Sequence, residues 1–292
     1  MANHLWTPNE IKSQLDSLYT HQPITFSDKI VKRLMTTMYT SFNYATGFCP
    51  TNTSVTSMEW RLIVLESVAC VPGFVAAAFR HFRSLRRLQE DHGWINTLLQ
   101  EAENERMHLL VCMQMFKASK LTCFMVILAQ ISMTPFMMVL YFLKPSAMHR
   151  FVGYLEEAAS HTYASVIAQV EQPGTQLHTG WAHIPAPDVA KAYWKLPPDA
   201  MFVDTLKCMF ADECHHRDVN HTFAEMNPTD PNPFHTILSV QEATLALTNT
   251  ELASVSAKTR TTPATTLPLD GGIRARGTTN QCEEEEADRR VL

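Results

Sequence analysis

Glu105-Arg106-Met107-His108 and, later in the chain, Glu213-Cys214-His215-His216 are the two stretches whose reading decides the fold. On a helix, positions i and i+3 share a face, so each Glu-x-x-His step offers one carboxylate and one imidazole to a common point. Each step is accompanied by a lone glutamate in another apolar, helix-like stretch, Glu66 and Glu156. Four carboxylates and two imidazoles on four helices are a ligand set for a carboxylate-bridged two-metal centre inside a helix bundle. Glu66 sits in Leu62-Ile63-Val64-Leu65-Glu66-Ser67-Val68-Ala69, where an unpaired charge would be costly to bury and a metal would give it a partner. The absence of thiolates from the set favours iron or manganese over zinc. One such step is common on a solvated helix face; two of them, in order with two isolated glutamates, are not.

Composition agrees with a helical protein. The 292 residues can hold one large domain or two small ones, 46% are hydrophobic, and only nine are glycine. A net charge of −5 is mild and opposes a nucleic-acid binder. The seven cysteines (Cys49, Cys70, Cys112, Cys123, Cys208, Cys214 and Cys282) form no C-x-x-C pair and lie mostly in apolar stretches. That predicts buried thiols in a reducing compartment rather than disulfides or a zinc site, with Cys49 a packed thiol. No secretory signal opens the chain, and the first thirty residues are neither Arg-rich nor poor in acids, so a mitochondrial transit peptide is not evident.

Along the chain, an N-terminal arm (1–24), a helical domain (25–227) and a low-complexity tail (228–292), read as disordered, are expected. The arm reads as irregular to about residue 22. Ser27-Asp28 is a helix-capping pair opening an amphipathic helix over 27–45, with Lys29, Lys32 and Arg33 near its start. Helical regions follow over 59–90, with Pro72-Gly73 inside, over 92–118, 146–172 and 199–226, and a Pro-, Gly- and His-rich loop fills 173–198. Glu101 and Glu103 are expected to face solvent, Glu157 to support the ligands, His215 and His221 to be structural, and His178 and His183 to lie outside the site.

Residues 121–143, LTCFMVILAQISMTPFMMVLYFL, carry no charge and are bracketed by Lys120 and Lys144. At about 1.5 Å per residue the segment is long enough to cross the ~30 Å hydrocarbon core of a bilayer. Glu105 and Glu156 flank it, however, and a crossing would place them on opposite sides of the membrane. The segment is therefore expected to lie beside its neighbours, either sharing one lipid-facing surface with the 27–45 helix or buried as a core helix, and the apolar face of 27–45 equally suits packing on the core.

At these residues the sequence resembles the alternative oxidases, over roughly 25–227. Leu65-Glu66-Ser67 stands where the family has LET, and Asn104-Glu105-Arg106-Met107-His108-Leu109 reproduces NERMHL. Leu155-Glu156-Glu157-Ala158-Ala159 stands for LEEEA, and Ala211-Asp212-Glu213 with His216 for RADE-x-x-H. His149-Arg150-Phe151-Val152-Gly153-Tyr154 and Val219-Asn220-His221-Thr222-Phe223 are similar too.

The resemblance implies an all-α, ferritin-like four-helix bundle with a di-iron centre, plus two further helices forming a monotopic membrane face. It implies two Fe ions held by Glu66, Glu105, His108, Glu156, Glu213 and His216, with Glu105 and Glu213 as bridges. Tyr163 would assist electron transfer, Asn104, Asp212 and Trp194 would orient the ligands, and Arg61, Leu155, Ala159 and Thr162 would line a quinol pocket. The implied activity is transfer of electrons from ubiquinol to O2, giving water without proton pumping. The implied setting is the mitochondrial inner membrane, on one leaflet of the matrix side, as a homodimer. Three departures stand out: Ser67 for Thr, Ala158 for the third Glu of LEEEA, and Phe210 for the Arg of RADE. Loss of both a Glu and an Arg would suit a compensated ion pair. The rival expectations are a rubrerythrin- or ferritin-like peroxidase or ferroxidase without quinol, a plastid-type quinol oxidase, and a membrane-associated scaffold without catalysis.

Overall fold

Helix follows helix through residues 5–234, the residues described in the computed structural model. Their order is α1 (Pro8–Asp16), α2 (Phe26–Thr46), α3 (Val55–Ala69), α4 (Val71–Arg87), α5 (Trp94–Met115), α6 (Lys120–Leu143), α7 (Pro145–Glu171), α8 (Gln176–Trp181), α9 (Asp188–Trp194) and α10 (Phe202–Glu225). Among the described residues the only β pairing is an isolated bridge between Pro185 and Met201. The fold is all-α. Most of the tail expected over 228–292, including Cys282, lies outside the described residues.

Local signals explain several differences from the sequence expectations. The N-terminal arm is not irregular: Thr7 caps α1, Pro8 opens it, and Glu10 closes a capping box. α2 begins one residue earlier than expected, because Thr25 is the cap and Asp28 is the third-position acid of its box. The region 59–90 is two helices, meeting at Cys70. Pro72 falls in the first turn of α4, where its missing N–H costs nothing. Gly73 is needed there, since a Cβ would lie 2.6 Å from the Leu98 carbonyl oxygen where α4 crosses α5. The 173–198 loop contains α8 and α9, which seat Trp181 and Trp194 in the interior. Ordered contacts also continue past residue 227: the Asn232 amide donates to Gly93 O at 3.0 Å and Thr97 Oγ1 at 2.7 Å.

α3, α5, α7 and α10 form the four-helix bundle, with α7 packed along α10 and α3 along α5. Two apolar clusters fill it. One gathers Leu62, Val111, Val166, Phe202 and Phe210; the other gathers Val75, Trp94, Leu98, Phe151 and Phe223. Along α5, α7 and α10 the chain passes from one cluster to the other, and the predicted ligands fall in between. A polar layer is thus sealed at both ends by close-packed side chains. Phe210 is fully buried in the first cluster, whereas Ala158 packs against the second, so these two departures are not an exchanged ion pair.

α6 behaves differently. It packs beside α3, α4 and α7, yet Leu121, Phe124, Ile127, Leu128, Ile131 and Phe142 are exposed, Phe142 at 76%. It is long and apolar enough to span a membrane, and only 6% of its most apolar window is buried. Val55–Arg87 also passes on length and composition but is 61% buried and broken at Cys70. On α2, Val31 and Met35 turn inward while Phe26, Ile30, Leu34 and Met38 are exposed.

Candidate metal centre

The bundle brings all six predicted ligands together, each buried. They form two groups, Glu66, Glu105, His108 and Glu213, and Glu105, Glu156, Glu213 and His216, with the ligand atoms of each group within 4.8 Å of one another. Glu105 and Glu213 belong to both. Two cations held side by side by two shared carboxylates is the arrangement such a set can make.

The histidines show which of their atoms face the space among the carboxylates. His108 Nδ1 lies 3.3 Å from Glu105 Oε2, 3.3 Å from Glu213 Oε1 and 3.6 Å from Glu66 Oε2. Its Nε2 lies 3.2 Å from Asp212 Oδ2. A carboxylate can only accept, so Nε2 donates to Asp212, while Nδ1 faces three further carboxylates and there holds a proton that a metal would displace. His216 Nδ1 is 2.5 Å from Glu105 Oε1. Even so, Glu66 Oε2, both oxygens of Glu105, His108 Nδ1 and His216 Nδ1 are buried without a hydrogen-bond partner. Buried polar atoms are rarely left so, and here five of them converge. A pair of cations would satisfy them all, so the residues fit the implied centre.

Electrostatics point the same way. Burial pushes Glu66 up to about 7. Burial, then the charges of Glu213 and Glu105, hold Glu156 well above the usual carboxylate range. Burial alone would raise Glu105, but the His108 and His216 imidazoles outweigh it and hold it well below. Burial opposes the imidazolium of His216, yet Glu105 lifts it to about 9; His108 is held well above its ordinary value for the same reason. The chain can therefore carry this much buried carboxylate only by retaining protons or by binding cations.

Around the ligands lies an orienting network. Asp212 accepts from Asn104 Nδ2 at 3.0 Å and Trp194 Nε1 at 2.9 Å, as well as from His108. Its other oxygen accepts from Trp6 Nε1 at 2.6 Å, a contact from the N-terminal arm that no local sequence signal announces. Tyr163 donates to Glu66 Oε1 at 2.7 Å, and burial and the Glu66 charge push its phenol well above the ordinary value.

Glu101 does not face solvent. It is buried, accepts from Asn220 Nδ2 at 2.7 Å, and burial pushes it up to about 7. Asn220 also donates to His216 O, linking α5 to a ligand-bearing turn of α10. Its spacing of four before Glu105 was the available signal. Glu103 does turn outward, to Arg106. Glu157 touches no ligand and instead accepts from the His21 backbone N–H at 2.8 Å. His221 accepts from Arg150, His178 donates to the Val170 carbonyl, and His215 packs edge-on to Trp6. Of the described cysteines, Cys112, Cys208 and Cys214 are buried, but Cys49 and Cys123 are exposed.

Farther out, Arg61 is 1% exposed and donates to Thr46 Oγ1 at 2.9 Å, with its guanidinium over Phe48 at 4.5 Å, Phe42 at 4.7 Å and Tyr39 at 5.8 Å. Burial lowers it to about 10. Thr162 is buried, and Leu155 and Ala159 are half-buried on the same helix.

The sequence pattern of the family described as Alternative oxidase matches residues 6–225. The chain is 35% identical over 257 residues to the mitochondrial alternative oxidase of Cryptococcus neoformans var. grubii, covering 80% of this chain and 63% of that protein. It is 40% identical over 250 residues to that of Blumeria graminis (78% and 69% covered) and 44% over 189 residues to that of Ajellomyces capsulatus (63% and 52%). The chain thus spans from about half to just over two thirds of the length of these relatives. With a match that runs from the N-terminal arm through the end of α10 and includes every residue of the buried polar layer, the chain belongs to the alternative oxidase family.

Proposed function

We propose that the protein is a terminal oxidase that takes electrons from ubiquinol and reduces O2 to water at a di-iron centre. The observation that carries this is the pair of ligand groups sharing Glu105 and Glu213. Bound there, two irons would supply the redox chemistry. Glu66, Glu105, His108, Glu156, Glu213 and His216 would hold them, and Asp212 would keep His108 in the tautomer that leaves Nδ1 free. The apolar clusters at either end would exclude water from the centre.

Quinol would meet the protein near Arg61, Leu155, Ala159 and Thr162. Tyr163 is the next residue after Thr162 and donates to Glu66, so it joins the quinol side to the ligand layer. Electrons would pass through this residue, its phenolic proton resting toward Glu66 Oε1. Ubiquinol is lipid-soluble, which gives the exposed faces of α2 and α6 a purpose: they would seat the bundle in one leaflet. Lying on one leaflet, the described helices would offer protons no path across the bilayer. The relatives are named as mitochondrial; the inner membrane and its matrix side are our assignment. The exposed stripe of Phe74, Phe82 and Leu85 on α4 supports a homodimer. A ferritin-like peroxidase or ferroxidase would leave the α6 face unexplained.

Purified, iron-loaded protein should show O2 uptake driven by a short-chain ubiquinol and persisting in cyanide. Absence of uptake from a sample with intact ligands and bound iron would refute the activity.

A further inference from the structure

Where α4 turns into α5 lies a cavity of about 290 Å³, lined by none of the ligand or quinol-side residues. Arg80, Arg83 and Arg87 line it from α4, and Glu90, Asp91 and His92 from the connecting loop. Positions 80, 83 and 87 share one face of the helix, away from the exposed stripe of Phe74, Phe82 and Leu85.

Hydrogen-bond accounting separates the three arginines. Arg80 is engaged on every side: its Nε donates to Asp91 Oδ1 at 2.6 Å, its Nη2 to the Asp91 and Pro228 carbonyl oxygens at 3.2 and 3.1 Å, and its guanidinium lies over the Trp94 ring at 4.1 Å. The other Asp91 oxygen accepts from the Ile95 backbone N–H at 2.7 Å, so that carboxylate is engaged too. Arg83, half-buried, and Arg87, exposed, make no hydrogen bond or ion pair among the described residues. The remaining carboxylate of the lining, Glu90, is exposed. Two guanidiniums, which can only donate, thus line the cavity without an acceptor.

The neighbouring helix indicates what the acceptor is. Tyr141, in the last turn of α6, packs on Phe79 with ring centres 5.3 Å apart, and the Arg80 and Arg83 charges oppose the upward push of burial on its phenol. The next two residues, Phe142 and Leu143, are 76% and 72% exposed. The cavity therefore sits at the end of the apolar face of α6, where the headgroups of a membrane would meet the protein. Guanidinium groups match phosphate oxygens with paired N–H···O bonds. We infer that Arg83 and Arg87 form a binding site for the phosphate of an anionic phospholipid headgroup. This rests on the reading of α6 as a lipid-facing helix, and it gives membrane binding a defined pocket rather than diffuse attraction alone.

The test is flotation of the full-length, iron-loaded protein with vesicles of phosphatidylcholine alone and of phosphatidylcholine containing phosphatidylglycerol. The wild type should bind the second kind more tightly. Arg83→Gln combined with Arg87→Gln should weaken that binding about 10- to 30-fold, while binding to phosphatidylcholine and iron content stay unchanged. Arg83→Lys with Arg87→Lys keeps the charge but loses the planar fork, and should recover only part of the loss. Full recovery by the lysines would assign the effect to diffuse attraction and overturn the site, as would no loss, or an equal loss on both vesicles, in the glutamine pair. Saturable binding of inorganic phosphate at micromolar concentration by the detergent-solubilised wild type, lost in the glutamine pair, would give the pocket to a free anion and overturn the lipid assignment. A wild type that floats equally with both vesicles would overturn the site and leave the α6 reading standing; one that floats with neither would refute both.

Discussion

Inside the bundle, four glutamates and two histidines are buried among leucines, valines and aromatic rings; on α6, leucines, isoleucines and phenylalanines face outward. Folded chains usually do the reverse in both places, hiding apolar groups and exposing charged ones. Each inversion needs something the polypeptide does not supply. The inner layer needs positive charge, and the outer face needs an apolar surrounding. The two regions adjoin: Gln130 on α6 donates to the carbonyl oxygen of Ser67, the residue after Glu66, at 3.3 Å. Bound cations would answer the first inversion and a lipid surface the second.

The comparison predicts that the two regions can be broken separately. Glu213→Ala, which removes a carboxylate shared by both ligand groups, should take iron from two per chain to near none and abolish O2 uptake, while binding to liposomes persists. Metal analysis alongside vesicle flotation reads both, and full activity in this variant would rule out the shared-ligand assignment. In the opposite sense, Phe124→Gln combined with Ile131→Gln on α6 should abolish flotation with anionic vesicles and leave the iron content unchanged. Loss of iron in that variant would show that α6 is a core helix whose exposure has no membrane meaning.

Smaller effects sharpen the boundary of the inner region. Asp212→Asn keeps the shape but weakens the acceptor that fixes His108, and should lower iron affinity about 10- to 100-fold. Trp6→Phe removes one of the other hydrogen bonds to Asp212 and should cost about 1.5–3 kcal/mol of stability, read by denaturant unfolding, with iron still bound.

Glu101→Gln probes the buried charge without touching a ligand. Glu101 holds its proton more tightly in the folded state than when unfolded, since burial raises it to about 7. Its contribution to stability is therefore present below the ordinary carboxylate value and is lost as pH rises toward 7. Metal-free wild type should lose melting temperature over that window more steeply than Glu101→Gln. Parallel pH profiles would show that Glu101 is not the group responsible.

Much of this layout was legible because its signals are local. The Glu-x-x-His spacing places ligands on one helix face whatever surrounds them, and a charge-free run is conspicuous in any context. Where reading failed, the deciding contact was distant or a local signal was passed over. Nothing near Trp6 indicates that it reaches Asp212, and nothing near Phe210 or Ala158 shows that the two fall in different apolar clusters. The capping box Thr7-Pro8-Asn9-Glu10 did announce α1, and the spacing of Glu101 to Glu105 and His108 did place it inward.

The most direct test of the central claim is anaerobic titration of Fe(II) into metal-free, full-length protein, with bound iron counted per chain. Two ligand groups sharing Glu105 and Glu213 predict saturation at two irons per chain. Saturation at one iron, or no binding by folded protein, would contradict the account.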